Sequence, residues 1–298
     1  MEYFDTHAHY NDEKFDEDRE ELLKEIFNNN VTKIVCAGYN VEKSEMAVEI
    51  AGKYDFVYAT CGISPNDTDD FSDDKIEMIK KLGSKNKVVA IGEIGLDYYW
   101  NKNNKEIQKK IFEKQLEIAN SLKLPIVIHT RDAWQETLEI LRKTPVEKKG
   151  IFHCCPLNQE LIKEAVKLGF YISFSGNVTF KNAKSEPCIK LVPFDKILIE
   201  TDSHYLTPEP FRGRRNDSGK VKYVAQKIAE VLGKTEEEVA KQTYENGCRI
   251  FGILKLSLRT IKVLRLFLFV FHKAKNVDIF KKSVFFWKWN KNWKNKKN

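Results

Sequence analysis

Short apolar runs alternate along this chain with longer stretches in which apolar residues return every three or four positions. The runs lie at residues 3–9, 33–38, 56–61, 88–93, 126–129, 151–154, 170–175 and 197–202, and predict eight strands. The amphipathic stretches at 16–28, 41–53, 73–82, 106–122, 132–143, 159–168 and 221–232, with a shorter one at 184–191, predict the helices between them. In 106–122, Ile107, Ile111, Ile118 and Leu122 take one face while lysines and glutamates take the other. A last helix is expected from Thr235, whose hydroxyl and Glu238 form a capping box, to about Phe251. Eight strand-helix units over some 250 residues predict an α/β fold, a (β/α)8 TIM-like barrel. An open doubly wound sheet has the same count, but no Gly-rich phosphate loop follows the first strand.

A chain of 298 residues that is 42% hydrophobic can bury a large core, which excludes disorder for most of it. Six cysteines without framework spacing, and a start lacking a charged and apolar leader, predict free thiols and a cytoplasmic location. The net charge of +7 hides an asymmetry: residues 255–298 hold 13 Lys and Arg and one acid, leaving 37 bases against 42 acids in residues 1–254. Polyanion binding by the body must therefore rest on local placement of charge. The chain is expected to divide into a barrel, 1–254, and a basic, apolar tail, 255–298.

In a barrel, functional groups gather at the C-terminal ends of the strands. His7 and His9 stand at the end of the first, Glu93 of the fourth, His129 of the fifth, His153 of the sixth and Asp202 of the eighth. Alternation puts His7 and His9 on one face, and extends the inward rows Val89-Ile91-Glu93, Val127-His129, Ile151-His153 and Leu198-Glu200-Asp202. Any one of these is more often an ordinary core or rim residue; six at five strand ends are poorly explained by chance. Glu93 can bridge two cations, so the set divides into His7, His9, Glu93 and Asp202 around one and Glu93, His129 and His153 around the other. Such a pair can activate water and clamp phosphoryl oxygens; Mg, Mn and Zn all suit the donors. Glu200 is expected to orient an imidazole or Arg, and Cys154 and Cys155 to be thiols, of which only one can face inward.

These residues stand in a pattern that resembles the TatD family of metal-dependent deoxyribonucleases and hydrolases. The matching stretches are Asp5-Thr6-His7-Ala8-His9, Ala90-Ile91-Gly92-Glu93-Ile94-Gly95-Leu96-Asp97-Tyr98, Leu124-Pro125-Ile126-Val127-Ile128-His129-Thr130-Arg131-Asp132-Ala133, Ile151-Phe152-His153-Cys154, and Ile199-Glu200-Thr201-Asp202 with Tyr205-Leu206-Thr207-Pro208. The resemblance implies a barrel with two divalent metals on the six residues above, and exonucleolytic hydrolysis of DNA phosphodiesters. The chain departs from the family where Ser64 precedes Pro65, where Cys155-Pro156-Leu157 follows Cys154, and where Ser203-His204 follows Asp202. These bear on substrate preference and leave the ligands in place.

Arg131, two residues past His129, is expected to grip a phosphate, with an ion pair to Asp132 as the alternative. Arg212-Gly213-Arg214-Arg215-Asn216 resembles the family's basic loop, which makes Arg215 and Asn216 candidate substrate contacts; Tyr98 and Tyr205 are candidates for stacking on a base. The leading functional expectation is a 3′-5′ exodeoxyribonuclease, with DNA or RNA as substrate, no obligate protein partner, and Glu93 and Asp202 as the catalytic carboxylates. A metal-dependent ester or amide hydrolase such as an aminoacyl-tRNA deacylase, and a metal-binding protein with little catalysis, are the alternatives. In the tail, Lys255, Arg259, Lys262 and Arg265 recur at helical spacing ahead of Trp287, Trp289 and Trp293, as suits contact with an anionic membrane or nucleic acid; chance translation of AT-rich sequence gives the same composition.

Overall fold

Eight parallel strands follow one another around a single sheet in chain order. They are β1 (Tyr3–Ala8), β2 (Val31–Ala37), β3 (Val57–Cys61), β4 (Val88–Asp97), β5 (Ile126–Arg131), β6 (Gly150–Phe152), β7 (Tyr171–Phe174) and β8 (Ile197–Ile199). The protein is seen in a computed structural model that describes residues 1–69, 71–100 and 102–253; the expected tail lies outside the described residues. A parallel bridge between Ala8 and Ser203 joins the first strand to the segment after the last. Flanking it, the Asp202 N–H donates to the His7 carbonyl (2.9 Å) and the His9 N–H to the Ser203 carbonyl (2.8 Å). The expected barrel is therefore present, and the seam where it closes runs through three of the predicted ligands.

The helices are α1 (Arg19–Asn28), α2 (Val41–Lys53), α3 (Asp73–Gly83), α4 (Lys105–Leu122), α5 (Trp134–Lys143), α6 (Gln159–Lys167), α7 (Ser185–Leu191), α8 (Val221–Leu232) and α9 (Glu236–Ile250). Side chains of Asn40, Ser72 and Asn158 cap α2, α3 and α6, and the Thr235–Glu238 capping box opens α9 as the sequence predicts. Between sheet and helices lies the main apolar layer, including Ile34, Ile91, Ile94, Ile128, Phe152 and Ile199. A second cluster fills the barrel itself, with Phe4, Val35, Val89, Val127, Ile151, Tyr171 and Leu198 packed on Tyr244, Cys248 and Phe251. These last come from the end of α9, which stops the N-terminal mouth and leaves the opposite one for chemistry. Gly247 permits that approach: a Cβ there would come within 2.6 Å of the Phe4 ring.

The expected inward row Val89-Ile91-Glu93 is not formed. β4 shifts register twice, between its pairings with Ala59 and Thr60 and again between Ile91 and Ile94. Each shift adds a residue to β4 and breaks the two-residue alternation. Val89 and Ala90 thus both face the interior, Ile91 faces the helices, and Glu93 returns to the interior. Glu93 also lies within β4, which continues four residues further, to Asp97. β8 ends earlier than expected, at Ile199, and Asp202 stands beyond it in a left-handed conformation (φ 54°) that short polar side chains tolerate.

Two glutamines of α4 complete the frame at the mouth. Gln115 accepts from the Ile63 N–H (2.7 Å) and donates to the Ile63 carbonyl (2.9 Å). Gln108 does the same for Asp97, at 2.9 and 3.0 Å. Both are buried, so these peptide groups at and beyond the strand ends find partners where water is excluded.

Candidate metal centre

All six predicted ligands meet at the C-terminal mouth. His7 Nε2 and His9 Nε2 stand 3.2 Å apart. Glu93 Oε2 is 3.5 Å from the first and 3.8 Å from the second, and Asp202 Oδ1 is 3.7 and 3.3 Å from them. On the other side of the same carboxylate, Glu93 Oε1 is 3.1 Å from His129 Nδ1 and 3.6 Å from His153 Nε2, and these two nitrogens are 3.2 Å apart. Four donors at zinc-ligand distances around one ion would be separated by about 3.4 Å. The spacings of both groups match the edges of such a polyhedron, the donors are those divalent cations take, and Glu93 presents one oxygen to each group.

Two of the remaining ring nitrogens have hydrogen-bond partners, while those of His7 and His153 are buried without one among the described residues. His129 Nε2 lies 2.9 Å from Asp97 Oδ2, His9 Nδ1 lies 3.2 Å from the Ala37 carbonyl, and His153 Nδ1 lies 3.5 Å from Glu200 Oε1. Glu200 is fully buried and accepts the Cys154 N–H at 2.6 Å, which fixes its carboxylate beside the imidazole. Asp5 ties the barrel seam together. Its Oδ1 accepts the N–H groups of His7 (3.3 Å) and Thr201 (2.9 Å), and its Oδ2 accepts the hydroxyls of Thr201 (2.5 Å) and Ser218 (2.6 Å).

Electrostatics follow from crowding in a dry site. Burial raises the cost of the Glu93 carboxylate, but His153, with hydrogen bonds from His129, His153 and His7, holds it well below the usual range. Burial opposes Asp202 as well, and His9, aided by His153 and His7, brings it to about 2. Burial lowers His7, and the neighbouring His153 adds to that. His153 is raised well above its ordinary value because Glu93 and Glu200 outweigh its burial. Glu93 and Glu200, both buried, and the half-buried Asp202 gather negative charge in one mouth, an arrangement that suits divalent cations.

Other predicted residues are placed differently. Arg131 stands exposed at the end of β5, its guanidinium 3.8 Å over the Tyr99 ring, without an ion pair to Asp132 or to any other described residue. Tyr205 is exposed at the mouth, its ring 6.4 Å from that of His9. Arg215 corrects the expectation of a substrate contact: it forms a two-pronged ion pair with Asp18 and donates to the Lys14 carbonyl (2.6 Å). Asn216 corrects it too, because it is fully buried and donates to the Thr201 (3.0 Å) and Tyr205 (2.7 Å) carbonyls, bracing the loop that carries Asp202. Tyr98 is buried and donates to Glu136 (2.9 Å), so its face is closed to a base. All six cysteines are free; Cys155 is buried in the helix layer, and Cys154 stands half-buried near Ser175, with burial pushing its thiol well up.

Asp97, Asp5, Gln108 and Gln115 escaped the sequence reading. The signal for the two acids was their place inside the quoted stretches, Asp5 two residues before His7 and Asp97 at the end of β4; for the two glutamines it was their place on the stripe 108-111-115-118-122 of α4, otherwise apolar. At the departure near the end of β3, Ser64 is buried and accepts the Asn66 N–H (3.3 Å), and the Asn66 amide reaches Asp97 Oδ2 at 3.4 Å.

A parallel eightfold barrel whose C-terminal mouth gathers four imidazoles around a shared carboxylate defines a metal-dependent hydrolase. The chain belongs to the TatD related DNase family, whose model matches residues 4–252. It is 46% identical over 252 residues to the uncharacterized metal-dependent hydrolase YabD of Bacillus subtilis (strain 168), covering 84% of this chain and 99% of that protein. It is 31% identical to the 3′-5′ ssDNA/RNA exonuclease TatD of Shigella flexneri serotype 5b (strain 8401), covering 84% and 99%. Among solved structures, the TatD homologue YjjV of Escherichia coli K12 superposes with a TM-score of 0.81 at 25% identity, over 85% of this chain and 98% of that one.

Proposed function

We propose that this protein is a 3′-5′ exonuclease that hydrolyses the terminal phosphodiester of DNA, with RNA as a second polymer substrate. The observation that carries the reading is the split of Glu93, whose two oxygens face two separate donor groups. His7, His9, Glu93 and Asp202 would hold one divalent cation, and Glu93, His129 and His153 a second. When bound, such ions polarise water and offset charge on phosphoryl oxygens. The chain's own contribution is placement and proton handling. Asp202, held ionised at the mouth, takes the proton of the attacking water as that oxygen bonds to phosphorus; the bond from phosphorus to the 3′ oxygen breaks, and the leaving oxygen gains a proton. The products are a nucleoside 5′-monophosphate and a shortened strand with a free 3′ hydroxyl. Arg131, exposed two residues past His129, would meet the phosphate. The family match and the exonuclease name of the Shigella relative support this choice of polymer. Six free thiols support a reducing, cytoplasmic setting, and among the described residues no helix is long and apolar enough to cross a membrane.

The test is end-labelled single-stranded DNA, duplex DNA and RNA incubated with metal-reconstituted protein, with Glu93→Ala as control. Mononucleotides released from the 3′ end by the wild type and not by the variant are expected. Free amino acid from aminoacyl-tRNA, with no mononucleotides, would assign the ester hydrolase instead; no turnover of either would leave a binding protein.

A further inference from the structure

We propose that Trp100 and Tyr99, with Arg131, form a stacking subsite for an unpaired nucleobase beside the metal centre, and that this subsite selects single strands over duplex. The inference rests on the nuclease reading above and names the part of the substrate that a phosphodiester site alone does not recognise. Trp100 is 69% exposed and Tyr99 46%, in the turn that leaves β4 at the catalytic mouth. A large ring left in water at the rim of a site is more informative than an exposed aliphatic, since it forgoes burial that a ligand can supply.

The turn is anchored. The N–H groups of Tyr99 and Trp100 both donate to Asp97 Oδ1, each at 2.9 Å, while Asp97 Oδ2 pairs with His129 Nε2. One buried carboxylate thus fixes the aromatic turn and a candidate ligand relative to each other. Tyr99 and Trp100 stand edge to face, 4.8 Å apart at 90°. Arg131 lies 3.8 Å over the Tyr99 ring and 5.4 Å from the Trp100 centroid. It has no ion-pair partner among the described residues, which leaves its charge available to a phosphate. The chemistry that fits an exposed indole, a tyrosine and an unpaired guanidinium is a base with its phosphate. A duplex stacks both faces of its internal bases already and can offer the indole only a frayed end. Tyr205, a further exposed aromatic of the mouth, follows β8, four strands around the ring from β4.

The experiment is fluorescence anisotropy of a 5′-fluorescein-labelled eight-nucleotide DNA and of the same strand with abasic sites in its 3′ half, each titrated in EDTA with the full chain. Wild type is expected to bind the base-bearing strand about tenfold more tightly than the abasic one. Trp100→Ala should erase that difference and Trp100→Phe should retain most of it. Because the difference between strands is what is read, contributions of other basic segments cancel. An equal preference in Trp100→Ala and wild type, or no preference in the wild type, overturns the subsite. The hydrolysis assay with Glu93→Ala is independent of this readout, so failure of the nuclease reading and failure of the subsite are told apart.

Discussion

Asp97 Oδ2 lies 2.9 Å from His129 Nε2, while the opposite ring nitrogen of His129, Nδ1, stands 3.1 Å from Glu93 Oε1. The carboxylate fixes the tautomer that leaves Nδ1 free as a donor. Asp97→Asn keeps the shape and removes the charge. Metal affinity is expected to fall 10- to 100-fold, roughly the range for such partners, with activity partly recovered at high metal concentration. Isothermal titration with Mn²⁺ or Zn²⁺ checks this; unchanged affinity would count against the role.

Glu93 is shared by both donor groups, so Glu93→Gln should affect every site at once. Loss of at least about a thousandfold in turnover is expected, because activation of water and neutralisation of the phosphoryl oxygens are lost together. Metal added to metal-free wild type should raise Tm, since a ligand at 100 times its Kd stabilises the fold by about 2.7 kcal/mol. In Glu93→Gln most of that rise should vanish, as read by calorimetry with and without EDTA. A full rise in the variant would place the metal elsewhere.

Asn216 separates bracing from substrate contact. Asn216→Ala strips the buried Thr201 and Tyr205 carbonyls of a donor, which costs about 1–3 kcal/mol. A lower Tm and a lower kcat are expected, through the loop that carries Asp202, with KM for single-stranded DNA unchanged. A rise in KM at constant Tm would restore the residue to the substrate.

The pair of Asp18 with Arg215 predicts a pH dependence of stability. Hydrogen bonding to Arg215 lowers the Asp18 pKa in the folded state below its ordinary value of about 3.9. Its contribution is therefore complete above that value and is lost as pH falls through the folded pKa. Because the pair is about 40% exposed, the stabilisation at neutral pH should not exceed about 0.5 kcal/mol. Asp18→Asn should remove part of the fall in Tm between about pH 4 and pH 2 and leave KM for DNA alone. An acid limb identical to that of the wild type would show the pair contributes nothing.

Much of the centre was legible in the primary structure because barrel chemistry collects at strand ends, and strand ends are where apolar runs stop. His129 and His153 followed simply from the parity of Val127 and Ile151. Glu93 was found for an incomplete reason: its residue type and neighbours marked it, yet the row Val89-Ile91-Glu93 does not exist, because two register shifts in β4 reset the alternation. Register shifts arise from pairing with β3 and β5, and no local pattern within β4 encodes them. The basic loop misled in the opposite way. Arg215 and Asn216 have the composition of a phosphate clamp, and only the approach of Asp18 and the buried carbonyls of Thr201 and Tyr205 shows that both are spent on the protein itself.

The amino-acid sequence by itself determined the order and kind of elements, the barrel they build and the six donors, since periodicity and residue chemistry are local properties of the chain. Tertiary structure alone decided that Glu93 turns one oxygen to each donor group, that Asp97 holds the His129 imidazole while Asp5 ties β1 to Thr201 and Ser218, and that Trp100 rather than Tyr98 offers an exposed aromatic face. Most of these depend on contacts between residues distant in sequence, which form only when neighbouring strands pair and β1 meets the segment after β8.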